Sequence, residues 1–171
     1  LWYPMQDGHR GQQSYSLDGA NTGLGVEMIT NGDFATGDMT GWGVGSTGDG
    51  SNPSVVAITG GYGARMLNGA ASGISQMNNS TVIANTFYKL TYRIVSNLNG
   101  NSSLSLQGGS VSMGSISADV GTHSVYLHSA TASGYFYFKR HSANTDIVIT
   151  DISLKAINAK NHATTVFYGD E

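Results

Sequence analysis

Between residues 87 and 95 apolar and polar side chains change places at every step: Tyr88, Leu90, Tyr92 and Ile94 fall on one side, Lys89, Thr91 and Arg93 on the other. A period of two marks a strand with one face buried, because successive side chains point to opposite faces of a sheet. The same alternation recurs over 103–107, where Leu104 and Leu106 share a face, and over 122–129, where Val125 and Leu127 oppose Ser124, Tyr126 and His128. It predicts further strands over 26–30, 54–59, 64–68, 73–77, 111–116, 134–140 and 146–156. Turn clusters such as Gly60-Gly61 and Asn97-Leu98-Asn99-Gly100 separate them, since Asn and Gly accept the positive φ of tight turns. No segment has a helical period. About ten short strands at near-regular spacing predict an all-β fold, a two-sheet antiparallel β-sandwich.

Two strands depart from simple alternation. In the last one Ile147 and Ile149 share one parity, whereas Ile152 and Leu154 take the other. The strand must slip by one residue near Thr150 and Asp151, which is the sequence trace of a β-bulge. In the strand before it, Tyr135, Phe136, Tyr137 and Phe138 are consecutive, so both faces of the sheet carry rings there.

Composition narrows the picture. The chain has 171 residues, enough for one domain that buries roughly 70% of its unfolded surface and too few for two ordinary ones. Its expected organisation is an N-terminal connector over 1–25, a sandwich module over 26–157 and a C-terminal extension over 158–171. Only 11% of residues are charged and the formal net charge is -3, so no basic footprint for nucleic acid exists. Neither nucleic acid nor a membrane is an expected partner, because no apolar run approaches the roughly 20 residues of a membrane span. Cysteine is absent, which excludes disulfides and thiolate metal sites. The first residue is Leu1, as expected of a processed product or a piece of a longer polypeptide.

Asn31-Gly32-Asp33-Phe34 with Gly41-Trp42 at one end, the Gly73-Ile74-Ser75-Gln76 strand pair, Phe87-Tyr88-Lys89-Leu90-Thr91-Tyr92, and Asp151-Ile152-Ser153-Leu154 at the other end form an ordered set. From Glu27 to Ala156 this order resembles the jelly-roll carbohydrate-binding modules of the family 4/9/22 type, which are galactose-binding-like sandwiches. The resemblance implies a jelly roll, no catalysis, and a glycan held on a concave sheet face or at loop tips. Modules of this type also resemble segments of phage tail fibres and other virion appendages. That setting implies an extracellular or virion location, with neighbouring protein modules or further copies of the chain as partners.

For Asp151 the resemblance implies a structural Ca²⁺, held together with groups from the first strand's exit; Asp33 or backbone carbonyls near Asn31 are the candidate partners, since hard oxygen ligands suit that ion. Many such modules have Glu directly after the Phe, where this chain has Ala35. From the residues alone, a bulge aims a carboxylate inward, where it needs a cation or several donors. The alternative is a carboxylate capping backbone N–H groups between the terminal strands.

The aromatic residues carry the ligand expectation. Tyr126, Tyr135 and Tyr137, with Arg93, are the candidates for a platform of rings and donors, matching the apolar C–H faces and hydroxyl rims of sugars. Trp42 and Tyr62 lie in turn-rich segments and are candidates for a second, loop-tip site. The competing readings are that Trp42 packs over the sandwich end, that the tyrosines cover core edge, or that they form a protein interface.

Catalysis has little to stand on. His9, His123, His128, His141 and His162 have no metal-binding spacing, and no nucleophile elbow or phosphate loop occurs. The aspartates fall in turn-like places or at the junction of the terminal strands, as suits a short carboxylate. The sequence therefore reads as a noncatalytic module that binds glycan or polysaccharide. Its rival is a structural virion domain whose rings join neighbouring copies.

Overall fold

The computed structural model describes residues 23–48, 50–69, 73–101, 103–141 and 144–157, with His141 described in its backbone alone. The expected connector, apart from 23–25, and the expected C-terminal extension lie outside the described residues. Eleven strands follow one another: β1 (Leu24–Glu27), β2 (Gly43–Thr47), β3 (Ser54–Ile58), β4 (Gly61–Asn68), β5 (Ile74–Val82), β6 (Phe87–Asn97), β7 (Ser103–Gly108), β8 (Val111–Ser117), β9 (Gly121–His128), β10 (Gly134–His141) and β11 (Thr145–Ile157). They form a six-stranded sheet in the order β3-β4-β11-β6-β9, with β1 also on β11, and a five-stranded sheet in the order β2-β5-β10-β7-β8. Every pairing is antiparallel, and the two sheets pack as a sandwich, as the alternation predicts.

Inward positions of both sheets build one core. Tyr88, Leu90, Tyr92 and Ile94 of β6 meet Leu104, Leu106, Phe136 and Phe138 of the opposite sheet, all essentially inaccessible to solvent. The Tyr92 hydroxyl donates to the carbonyl of Ser117 at 2.9 Å and so ties β6 to the end of β8 across the sandwich. Burial, reinforced by nearby Asp119, pushes this phenol up to about 12.

The first and last strands pair as expected, with Leu24 opposite Ile157 and Glu27 opposite Lys155. The slip in β11 is present: its register against β6 shifts between Thr150 and Ser153, and Asp151 has a φ of 53°. Ile147, Ile149, Ile152 and Leu154 are all buried on the two sides of the slip. One strand escaped the alternation. In β2, Gly43-Val44-Gly45-Ser46-Thr47, the glycines erase the hydrophobic period that would have marked it.

Asn31-Gly32-Asp33-Phe34 and Gly41-Trp42 turn out to be one structural knot. Asn31, at a φ of 54°, donates through its side-chain amide to Thr36 Oγ1 at 2.8 Å and to the carbonyls of Asp38 and Thr40 at 3.2 and 3.0 Å. Phe34 is fully buried and stacks on Trp42 at 5.4 Å, and Trp42 in turn meets Phe138 at 6.2 Å. Gly32 accepts the N–H of Ile152 at 2.9 Å, and a Cβ there would run into the carbonyl oxygen of that same residue. The opening motif is therefore spelled by the close approach of the first loop to the bulge of the last strand.

Candidate functional site

Strand parity sorts the candidate residues onto opposite faces of the molecule. On β10, Phe136 and Phe138 point into the core, so Tyr135 and Tyr137 point outward from the five-stranded sheet. On β9 and β6, Tyr126 stands opposite Lys89 and Thr122 opposite Arg93, on the outer face of the six-stranded sheet. A single platform of Arg93, Tyr126, Tyr135 and Tyr137 therefore does not exist, because the whole sandwich lies between its two halves. The sequence could not show this, since alternation reports which side of a strand is wet but not which sheet the strand joins.

Trp42 is likewise not part of a loop-tip site with Tyr62. Its indole is only 7% exposed, its N–H donates to the Asn31 carbonyl at 2.9 Å, and Phe34 covers one ring face. Tyr62 borders a different pocket, of about 180 Å³, which also receives Asp33, Arg93, Thr150 and Asp151. There the bulge turns Asp151 outward rather than inward, with half of its side chain in solvent, and Arg93 Nε donates to its carboxylate at 2.6 Å. Asp33 Oδ1 accepts the N–H of Ala35 at 3.2 Å. Ca²⁺ takes six to eight oxygens, backbone carbonyls among them, and Asp33 and Asp151 are the two carboxylates that border this pocket. One of the two carboxylates is held by a guanidinium, and no group of three or more acidic or histidine side chains suited to a metal occurs among the described residues.

The capping role considered for Asp151 belongs to Glu27. Its Oε1 accepts the N–H groups of Met28, Ile29 and Leu154 at 3.0, 3.0 and 2.9 Å, while Oε2 accepts the hydroxyl of Ser153. A carboxylate that takes backbone donors from the exit of β1 and from β11 joins the two where the short β1 ends.

The outer face of the five-stranded sheet holds the more open site. Register places Gly43, Asn78, Tyr137 and Gln107 in one row across β2, β5, β10 and β7. Gly45, Gln76, Lys139 and Ser105 form the next row. Asn78 also borders a cleft of about 480 Å³ that reaches Trp42, Thr81 and Tyr135 at one end of the sheet. Gly43 leaves room beside it: a Cβ there would come within 2.7 Å of the Asn78 side-chain oxygen, so the Asn78 amide would have to turn aside.

The polar groups of these rows are half-buried, and the amides of Gln76, Asn78 and Gln107 make no hydrogen bond to another described residue. The Lys139 ammonium lies 5.0 Å from the centre of the Tyr137 ring, a cation–π contact. In the pocket beside Asp151 the groups satisfy one another, whereas here donors and acceptors are turned toward solvent. Such groups can exchange water for the hydroxyls of a ligand at little cost. Sequence reasoning found Tyr135 and Tyr137 but missed Gln76, Asn78, Gln107 and Lys139. The one available signal was the polar outward half of β5 and β7, which reads equally as an ordinary wet face.

No protein-family description matches the sequence, and no curated protein matches it. Solved structures do match in fold. The tailspike protein 4 enzymatically active domain of bacteriophage CBA120 superposes with a TM-score of 0.54 at 11% identity, over 77% of this chain and 22% of that one. TmCBM61 in complex with beta-1,4-galactotriose gives a TM-score of 0.47 at 14% identity, over 75% of this chain and 97% of that one. The CBM22-1 xylan-binding domain from Paenibacillus barcinonensis Xyn10C gives 0.47 at 10% identity, over 80% and 96%. The two antiparallel sheets make a β-sandwich, a fold shared with the tailspike domain, and the chain spans under a quarter of that tailspike chain.

Proposed function

We propose that this chain is a noncatalytic glycan-binding module, carried by a larger phage virion or secreted protein and acting outside the cell or on the virion. The observation that carries the reading is the outer face of the five-stranded sheet. There Gln76, Asn78 and Gln107 present unpartnered amides on either side of Tyr137, next to a cleft bordered by Tyr135. Amides in rows read the donor and acceptor pattern of sugar hydroxyls, and phenol rings offer apolar surface to the C–H faces. Among the described residues no nucleophile is paired with a base on this face, and rows of amides and phenols suit binding.

The test is a glycan array followed by titration of the wild-type module and of Gln76→Ala, Asn78→Ala and Tyr137→Ala variants. Loss of binding in these variants with unchanged melting supports the site. Binding that survives all three while failing on substitution of Tyr62 or Arg93 would move the site to the pocket beside Asp151.

A second reading has its own observation. On the other sheet Tyr126 is 70% and Phe87 54% exposed, and Phe87 stacks on His128 at 4.2 Å on the edge formed by β9. Exposed rings beside a strand that ends the sheet among the described residues suit contact with a neighbouring module or a second copy. Under this reading the chain is an assembly domain of a virion appendage. Concentration-dependent association abolished by Tyr126→Ala, with no glycan bound, would favour it.

A further inference from the structure

Charge is sorted between the two sheets. The five strands β2, β5, β7, β8 and β10 carry no aspartate or glutamate, although the chain as a whole has a formal net charge of -3. Among the described residues Glu27, Asp146 and Asp151 lie on the six-stranded sheet, while Asp33, Asp38 and Asp119 lie in loops. The basic residues of the five-stranded sheet are consecutive on β10, at Lys139, Arg140 and His141. Arg140 is turned to the interior side, where it donates to Thr145 Oγ1 at 2.9 Å and to the Ser103 carbonyl at 2.7 Å. Lys139 is thus the one cation among the side chains described on the outer face, set between Gln76 and Ser105 with the Tyr137 ring beneath it.

A ligand that covers this row must strip water from the Lys139 ammonium. A neutral sugar returns only hydroxyl contacts for that loss, and desolvating a charge without an opposite one is costly. An anionic group on the sugar turns the same cost into a charge-assisted hydrogen bond. No carboxylate on the sheet competes for the ammonium or repels the incoming charge. We infer that the ligand of this face is an anionic saccharide, whose carboxylate or sulfate is taken by Lys139 while the flanking amides of Gln76, Asn78 and Gln107 read its hydroxyls. The inference rests on the reading of this face as the glycan site and adds the ligand's charge to it.

Paired probes test it: polygalacturonate against its methyl ester for the carboxylate, and a sulfated galactan against its desulfated form for the sulfate. Each is titrated into the full chain and into Lys139→Met, which keeps the aliphatic stem over Tyr137. In one pair or the other the charged form is expected to bind at least about fivefold tighter than its neutral twin. That difference should vanish in Lys139→Met and shrink as salt is raised, with melting unchanged. The pair that shows the preference tells carboxylate from sulfate. Charged and neutral forms binding alike, with Lys139→Met without effect, would overturn the inference and leave glycan binding intact. A charge preference that persists in Lys139→Met would also overturn it, because the anion would then sit elsewhere. Failure of the panel and of a general glycan array together would remove the glycan reading itself, and the inference with it.

Discussion

Glu27 accepts the backbone N–H of Leu154 at 2.9 Å across a sequence separation of 127 residues, and this contact fastens the first strand to the last. The same oxygen also takes the N–H groups of Met28 and Ile29, so a single carboxylate organises the exit of β1 and its seat on β11. Glu27→Ala is expected to lower the unfolding free energy by about 1.5–2 kcal/mol, the lower part of the range for hydrogen bonds to a charged acceptor because this one is exposed. Denaturant titration measures it. Glu27→Ala with wild-type stability would show that water replaces the carboxylate without loss.

Trp42 belongs to the core, and its substitution should be read as a folding defect. Trp42→Ala removes the ring between Phe34 and Phe138 and is expected to cost about 3–5 kcal/mol. Trp42→Phe keeps the stacking and loses the bond to the Asn31 carbonyl, so a cost of about 1 kcal/mol is expected. Equal effects of the two variants on thermal unfolding would contradict this division.

The strand pattern was legible wherever a strand had one apolar face, and Tyr88, Leu90, Tyr92 and Ile94 point inward as their alternation required. The bulge at Asp151 was legible because a shift by one residue must reverse parity. Its direction was legible in the same parity, outward and not inward as expected: with Ile149 and Ile152 both in the core, the two residues between them lie on the outer side of the bulge, where Arg93 meets the carboxylate. β2 was hidden by its glycines, and with it the edge of the site. The split of Tyr126 from Tyr137 was hidden for a different reason: sheet membership is set by non-local pairing, which a one-strand pattern does not encode.

Stability should depend on acid through Asp146. Its carboxyl is held below the ordinary carboxylate value by the hydrogen bonds from Arg65, whose Nε and Nη2 reach it at 2.7 and 2.5 Å, against a smaller opposing effect of burial. A depressed folded pKa stabilises the protein above the unfolded value of 3.8, and that contribution is lost as pH falls through the folded value. Asp146→Asn is therefore expected to flatten the fall in melting temperature below about pH 4 while lowering stability at neutral pH. An unchanged acid limb in the variant would assign the acid sensitivity to other carboxylates.

Chelation tests the Asp33 and Asp151 pair directly. Because Arg93 already occupies the Asp151 carboxylate, the melting temperature is expected to be the same with and without EDTA. A ligand that binds only the folded state raises its stability, so a drop in melting temperature on chelation, abolished in Asp151→Ala, would restore a Ca²⁺ site between these residues. Asp151→Asn, which tolerates the φ of 53° as aspartate does, should change stability by less than about 1 kcal/mol, since the ion pair is half-exposed.

The opposite placement of Tyr137 and Tyr126 gives the sharpest division between the two functions. Tyr137 lies in the row of Asn78 and Gln107, so Tyr137→Ala should weaken glycan binding about fivefold, corresponding to about 1 kcal/mol for one stacking ring. Tyr126, 70% exposed on the far sheet, should leave glycan affinity unchanged when replaced by alanine. Both variants should melt like the wild type, because neither ring belongs to the buried core. Isothermal titration with the tightest array ligand compares the two directly. Loss of affinity in Tyr126→Ala with none in Tyr137→Ala would place the sugar on the six-stranded sheet. The amide rows around Lys139 would then be a solvated face, and the cleft at Tyr135 would have no part in binding.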